Sequence, residues 1–145
     1  MRSMRLRRAA LLVLAALAVA GCGDSVMLSP DPSSIGSGAY TLTQVNATAL
    51  PFDVRNDATG RVTITQGSLT VGDGTFQQSL TLEETPANGV TGVRQSATQG
   101  TVTVTGDHIV FKTSDGGMWE GTASGARIDY TVPGNNGSFA FTFRR

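Results

Sequence analysis

The sequence predicts an all-β protein: an antiparallel up-and-down meander of about eight strands closed into a small barrel. The first observation is that apolar and polar residues alternate from residue 39 to the end of the chain, as in strands with one buried and one wet face. The second is that Asn-, Asp- and Gly-rich turn signals interrupt the alternation roughly every ten residues. A meander of this length removes its exposed edges most simply by closing on itself.

Each alternating run predicts one strand of the meander. The runs are Tyr40/Leu42, Val62/Ile64, Leu69/Val71, Phe76/Leu80/Leu82, Val102/Val104, Ile109/Phe111, Ile128/Tyr130/Val132 and Phe139/Phe141/Phe143. Leu69 and Val71 follow in the opposite parity to the run before them, which predicts a bulge near Gln66-Gly67. The predicted turns, whose residues tolerate positive φ, are Asp73-Gly74, Gly106-Asp107, Ser114–Gly117, Ser124-Gly125 and Pro133–Gly137.

The chain divides into three segments. Residues 1–21 read as a signal peptide, because four arginines precede an apolar stretch of 12 residues at 9–20, too short for the ~20 residues that span a bilayer. Residues 22–38 are rich in Ser, Pro, Gly and Asp without periodicity, which predicts a flexible linker, with an ordered arm as the alternative. Residues 39–145 then form one barrel domain.

Cys22 is the only cysteine and ends the leader. The segment Val19-Ala20-Gly21-Cys22 resembles the bacterial lipobox, which implies that the Cys22 thiol carries a diacylglyceryl group with fatty acyl chains such as palmitate. A free thiol in an ordinary secretory leader is the alternative. Because two or more acyl chains hold a protein firmly to a membrane, we expect a lipoprotein of the cell envelope. Gly23 follows the cysteine, where Asp is associated with inner-membrane retention, so we expect the outer membrane, facing the periplasm.

The charge of the mature chain argues against nucleic-acid binding. Four of the 11 basic residues lie in the leader, which leaves seven basic residues against 11 acidic ones. A mildly acidic surface without a Lys/Arg cluster repels phosphate backbones.

Catalysis and metal binding have few candidate residues. His108 is the sole histidine and lies beside Asp107 at a predicted turn, where a solvated side chain is expected. Glu83 and Glu84 are adjacent on a strand and point to opposite faces, so they cannot act as a carboxylate pair. No nucleophile elbow or calcium loop is present. We therefore expect no enzyme activity, cofactor or metal site.

Three segments together resemble the lipocalin-like domains of small bacterial lipoproteins: Gly38–Leu42, Gly67–Phe76 and Phe141–Arg145. The resemblance covers residues 38–145 and implies an up-and-down barrel whose mouth or interior holds a small apolar ligand. Tyr40 stands where lipocalins carry the Trp of their Gly-x-Trp signature. The resemblance also implies that Arg144 covers the barrel end, as the late arginine of lipocalins does.

We therefore expect a lipid-anchored barrel that binds a small hydrophobic ligand or lipid at its mouth. The candidate pocket or core residues are Tyr40, Phe76, Phe111, Trp119 and Tyr130. An eight-stranded barrel is just wide enough to be filled by side chains or to hold one small ligand, so dry packing of these rings is the alternative for them. In that case the protein is a structural or interaction module that contacts another envelope protein. Trp119 lies either in the core or outside as an aromatic anchor.

Overall fold

The structure is a computed structural model that describes residues 35–135 and 137–145. The predicted signal peptide, Cys22 and most of the predicted linker lie outside the described residues. The strands are β1 Gly38–Val45, β2 Thr48–Ala49, β3 Phe52–Asp57, β4 Gly60–Gly72, β5 Thr75–Pro86, β6 Gly92–Thr105, β7 His108–Thr113, β8 Met118–Ser124, β9 Arg127–Gly134 and β10 Gly137–Arg144.

Eight of these strands form a closed antiparallel barrel, which confirms the predicted fold. Neighbours along the chain pair from β4 through to β10, and β1 closes the ring because it pairs with both β10 and β4. Val45 lies opposite Phe141 on one side of β1, and Tyr40 lies opposite Leu69 on the other. The short β2 adds to the end of β1, and β3 adds to the first half of β4.

The interior contains the side chains that the alternation pattern assigns to it. Tyr40, Phe111, Ile128 and Phe143 are almost completely buried, as are most inward residues of the other strands. Directly opposed residues of an antiparallel pair share a face, so the pairing of Phe141 with Tyr130 and of Tyr130 with Gly121 places both rings inside the barrel. The core is therefore one cluster that runs around the whole ring.

Irregularities in the strands allow this small barrel to curve. The predicted bulge is confirmed, since the register of β4 against β5 shifts between Ile64 and Gln66. On β8 a Cβ at Gly121 would collide with the carbonyl oxygen of Asp129 and lie 2.6 Å from the Cα of Tyr130. Glycine at such an inward corner lets two strands approach and bend together.

The strands differ greatly in length, and this tilts the upper rim of the barrel. β7 ends at Thr113, which lies opposite Gly100 of β6, whereas β6 begins eight residues earlier at Gly92. The β7–β8 turn therefore forms a dip in the rim, and we call the opening above it the mouth. At the opposite end, Gly38 lies opposite Val71 beside the β4–β5 turn.

Two regions differ from the sequence-based prediction. The segment between the first two predicted strands contains β2 and β3, and β5 and β6 form a hairpin that turns at residues 87–91. The predicted strand at Val102 and Val104 is thus only the last part of a strand of 14 residues.

Candidate functional site

The centre of the barrel contains a stack of three nearly parallel rings. Tyr130 stacks on Trp119 with ring centres 5.7 Å apart and on Phe143 with ring centres 5.6 Å apart, each at an interplanar angle of 4°. Phe111 packs against the same tyrosine at 4.8 Å and against Phe76 at 4.9 Å. We call Trp119, Tyr130 and Phe143 the aromatic stack.

The register of three strands explains the stack. Tyr130 lies opposite Gly121 on β8 and opposite Phe141 on β10. Because glycine places no side chain over the tyrosine ring, Trp119 can reach it diagonally from one side and Phe143 from the other. Diagonal neighbours across a sheet lie within reach of aromatic side chains.

The Tyr130 hydroxyl is the one buried side-chain polar atom without a hydrogen-bond partner among residues 35–135 and 137–145. Burial raises the pKa of Tyr130 well above its usual value of 10.0, because the charged phenolate would lose its solvation. A buried hydroxyl without a partner costs free energy. The stack thus contains an unsatisfied donor at its centre.

One wall of the mouth is apolar and half-buried. Val132 is the direct partner of Phe139 on β10. On its other side it lies across from Trp119, one position beyond the Glu120–Thr131 pair of β8 and β9. Phe52 of β3 meets Phe139 edge to face, with ring centres 6.4 Å apart. Trp119, Val132, Phe139 and Phe52 are each partly buried and pack against the core.

The facing wall, on β5 and β6, carries polar groups. Gln78 is only 4% exposed, and it lies between Leu69 and Thr98 in the register of the inward face. Leu80 lies opposite Ser96 in the next inward row. The inward residues at this end are therefore aromatic and aliphatic on one side of the barrel and partly polar on the other.

The opposite end of the barrel is covered by an arginine. The guanidinium of Arg145 lies over the Tyr40 ring, 5.1 Å from its centre, and donates to the carbonyl oxygens of Gly36 and Ser37. The Tyr40 hydroxyl also donates to the Gly36 carbonyl oxygen, at 2.8 Å. The prediction that Arg144 covers the barrel end is therefore wrong. Arg144 is the last residue of β10 and is exposed, and the next residue, Arg145, lies over the ring instead.

Charged side chains of the described residues lie on the surface. His108 is exposed with its Nε2 3.8 Å from Glu120 Oε2, and Glu84 forms an exposed ion pair with Arg94, at 2.6 Å. No group of three or more His, Cys, Asp or Glu side chains within residues 35–135 and 137–145 could hold a metal ion. No helix in the same part of the chain is long and apolar enough to cross a membrane.

Asp129 is the most interconnected of these carboxylates. Arg127 donates to both of its oxygens, and the Thr142 hydroxyl donates to Oδ1 at 2.6 Å. Partial burial raises the pKa of Asp129, but the hydrogen bonds from Arg127 and Thr142 and the nearby positive charges lower it further, so that the net shift is downward. The group ties β9 to β10 on the outside of the barrel.

Clefts on the outer surface are lined mainly by uncharged polar residues. Clefts of about 450 and 520 Å³ lie along β4 and β5 and contain Thr70, Gln77, Ser68 and Ser79. A third, of about 330 Å³, lies between β6 and the β7–β8 turn, next to Ala97. Each is open to solvent.

No protein-family model, curated protein or solved structure matches this chain.

The structure brings together four of the five candidate residues. Phe76, Phe111, Trp119 and Tyr130 form one ring cluster, whereas Tyr40 lies at the arginine-covered end. Trp119 faces inward, so it does not form an exposed aromatic anchor.

Sequence reasoning missed the polar wall of the mouth. Gln78, Ser96 and Thr98 interrupt the apolar alternation of β5 and β6, so they resemble outward residues until the register is known. The sequence did contain one signal: Gln78 lies two residues from both Phe76 and Leu80, so it shares their inward face.

Proposed function

We propose that this protein is a lipid-anchored, lipocalin-like lipoprotein of the bacterial envelope that holds a small hydrophobic molecule or lipid at the mouth of its barrel. It acts by binding and carries out no catalysis. The anchor is the lipid on Cys22, and the location is the outer membrane, facing the periplasm.

The observation that carries the proposal is the mouth itself. Ligand sites are concave, largely apolar and provided with a few oriented polar groups. Partly buried Trp119, Val132 and Phe139 supply apolar surface, and half-buried Ser96 and Thr98 supply hydroxyls from the inward face of β6. Because the aromatic stack fills the barrel below this level, an apolar chain or ring system would lie in the mouth and not deep in the barrel.

Native mass spectrometry of the protein purified from its own host tests the binding proposal. The expected result is a second mass peak, heavier by one lipid or other small apolar molecule, that disappears on collisional activation. Val132→Lys places a charge on the apolar wall and should abolish this peak. Val110→Lys is the matched control, because Val110 lies on the outward face of β7 between inward Ile109 and Phe111. The proposal is wrong if the wild-type protein is recovered only in the empty form, or if both variants keep the adduct.

The anchoring proposal has an independent test. Cys22→Ser removes the only thiol that can be acylated, so the variant should move from the membrane fraction to the soluble fraction of lysed cells. The wild-type chain serves as the control, and continued membrane association of the variant would contradict the proposed anchor.

A second candidate function is a structural or interaction module with a solid barrel. It is favoured by the packing of the rings, since Tyr130 touches four other aromatic side chains and the stack leaves its hydroxyl without a partner. An empty wild-type protein in the mass spectrum, together with a stable partner retained from the envelope, would favour this candidate over the first.

A further inference from the structure

One side of β6 is an open strand edge in the part of the chain that the structure describes. β7 pairs with β6 only from Gly100 to Thr105, and β5 occupies the other side of β6 along Gly92–Thr101. The backbone from Gly92 to Thr98 therefore faces no strand on its β7 side. We call this segment the open edge.

The open edge lacks most of the features that usually protect such strands. Edge strands are commonly blocked by proline, lysine, bulges or inward-pointing charges. Between residues 92 and 98 there is no proline or lysine, and the pairing with β5 proceeds without a register shift. The one charge, on Arg94, stands on the inward face opposite Leu82 and is held in an ion pair with Glu84 of the same hairpin.

We propose that the open edge pairs with the same edge of a second copy of this chain, antiparallel and centred on Gln95. A two-fold axis at Gln95 places Val93 of each protomer opposite Ala97 of the other, and Arg94 opposite Ser96. The two apolar side chains lie on the outward face, where Val93 is 72% exposed in the single chain. The pairing continues one barrel's sheet into the next in a closed two-fold dimer.

Side-chain complementarity favours this register over one centred on Ser96. Moving the axis by one residue, to Ser96, would place Val93 opposite Gln99 and Ala97 opposite Gln95, so that both apolar contacts would be lost. Cross-strand pairs of matching chemistry are the unit of sheet stabilisation. The register centred on Gln95 therefore covers exposed apolar surface that the alternative leaves in water.

The length of the open edge agrees with the same register. The axis at Gln95 places Gly92 of each copy opposite Thr98 of the other, so that the whole open edge is paired. The pairing ends there, because the Gln99 carbonyl oxygen already accepts a hydrogen bond from the Ser114 N–H, at 2.9 Å.

Disulfide cross-linking in the envelope of the native host tests the register. In Gln95→Cys the two thiols lie directly opposite each other, within the Cα separation that a disulfide bridges. In Ala97→Cys the two thiols are offset by four residues along the strand, ~13 Å, beyond the ~7 Å limit. Oxidation of intact membranes should give a reducible dimer band for Gln95→Cys that is at least about fivefold stronger than for Ala97→Cys.

Two controls separate specific pairing from collision in the membrane. Gln77→Cys places a thiol on the exposed outer face of β5 and should cross-link no more than Ala97→Cys. Co-expression of Val93→Cys with Ala97→Cys should restore the dimer band, because these positions face each other across the axis.

Charge variants in the Gln95→Cys background provide an independent measurement. Val93→Lys with Ala97→Lys sets like charges opposite each other twice and should reduce the cross-link about tenfold. Val93→Lys with Ala97→Glu sets opposite charges there and should retain it. The homodimer is refuted if Gln95→Cys gives only monomer, if it cross-links to a protein of different mass, or if both charge variants behave alike. None of these outcomes depends on a ligand in the mouth.

Discussion

Replacement of Tyr130 by phenylalanine should stabilise the protein, although it removes a polar group from the centre of the fold. The hydroxyl is buried and makes no hydrogen bond within the described residues, so the folded state bears its desolvation cost while the unfolded chain does not. Removing such a group should raise the free energy of unfolding by about 1–2 kcal/mol. The ring contacts with Trp119 and Phe143 do not involve the hydroxyl oxygen and should remain.

The expected change is large enough for thermal or urea unfolding to measure. For a domain of about this size, each kcal/mol corresponds to roughly 4 °C in Tm. Tyr40→Phe is the matched control, since Tyr40 is the other tyrosine and its hydroxyl donates to Gly36 at 2.8 Å. That variant should lose about 0.5–1.5 kcal/mol.

The same substitution should change the alkaline limit of stability. Burial raises the pKa of Tyr130 in the folded state. The contribution of this pKa difference to the free energy of unfolding is complete below the unfolded pKa of ~10. It is lost as the pH rises above that value, by up to ~1.4 kcal/mol per pH unit. The phenylalanine variant lacks this term and should unfold at a higher pH than the wild type. A Tyr130→Phe protein that is less stable than the wild type at pH 7 would refute the reasoning, because it would show that the hydroxyl has a partner.

Two further substitutions test the packing of the barrel and its covered end, both by urea unfolding. Gly121→Ala should lower the free energy of unfolding by about 2–4 kcal/mol, because the new methyl group meets the Asp129 carbonyl and the adjacent backbone. Gly92→Ala is the control: a methyl group there has nothing within 4 Å, so the free energy of unfolding should change by less than ~0.5 kcal/mol. Equal effects of the two glycine variants would contradict the proposed corner. Arg145→Ala should lower the free energy of unfolding by about 1 kcal/mol, because it removes the cation–π contact at 5.1 Å. Arg144→Ala should lower it by less than half as much. The reverse order would show that Arg144 covers the barrel end.

The alternation of apolar residues was sufficient to predict the class of fold. Inward and outward positions differ so clearly in Ile128–Val132 and Phe139–Phe143 that strand identity, face and buried rings follow directly. The parity change between Ile64 and Leu69 likewise gave the position of the bulge. These features depend only on neighbours close in sequence, where side-chain periodicity is informative.

The features of the candidate site that were missed depend on distant pairing. Residues 92–99 contain only Val93 and Ala97 as apolar side chains, so the first half of β6 shows no clear alternation and its hairpin was not expected. Phe52 and Val54 do alternate, but the polar residues that follow them concealed β3. The choice between Arg144 and Arg145 depends on the register between the first and last strands, which local sequence does not determine.

The position of Ile35–Gly38 has a consequence for how the barrel would sit on a membrane. This segment reaches the barrel at the end covered by Arg145, while the dip in the rim lies at the other end. A tether attached through the N-terminal side would therefore join the barrel at the end remote from the opening. The linker and the mouth would then not compete for space, and an apolar cargo could reach the mouth without passing the point of attachment.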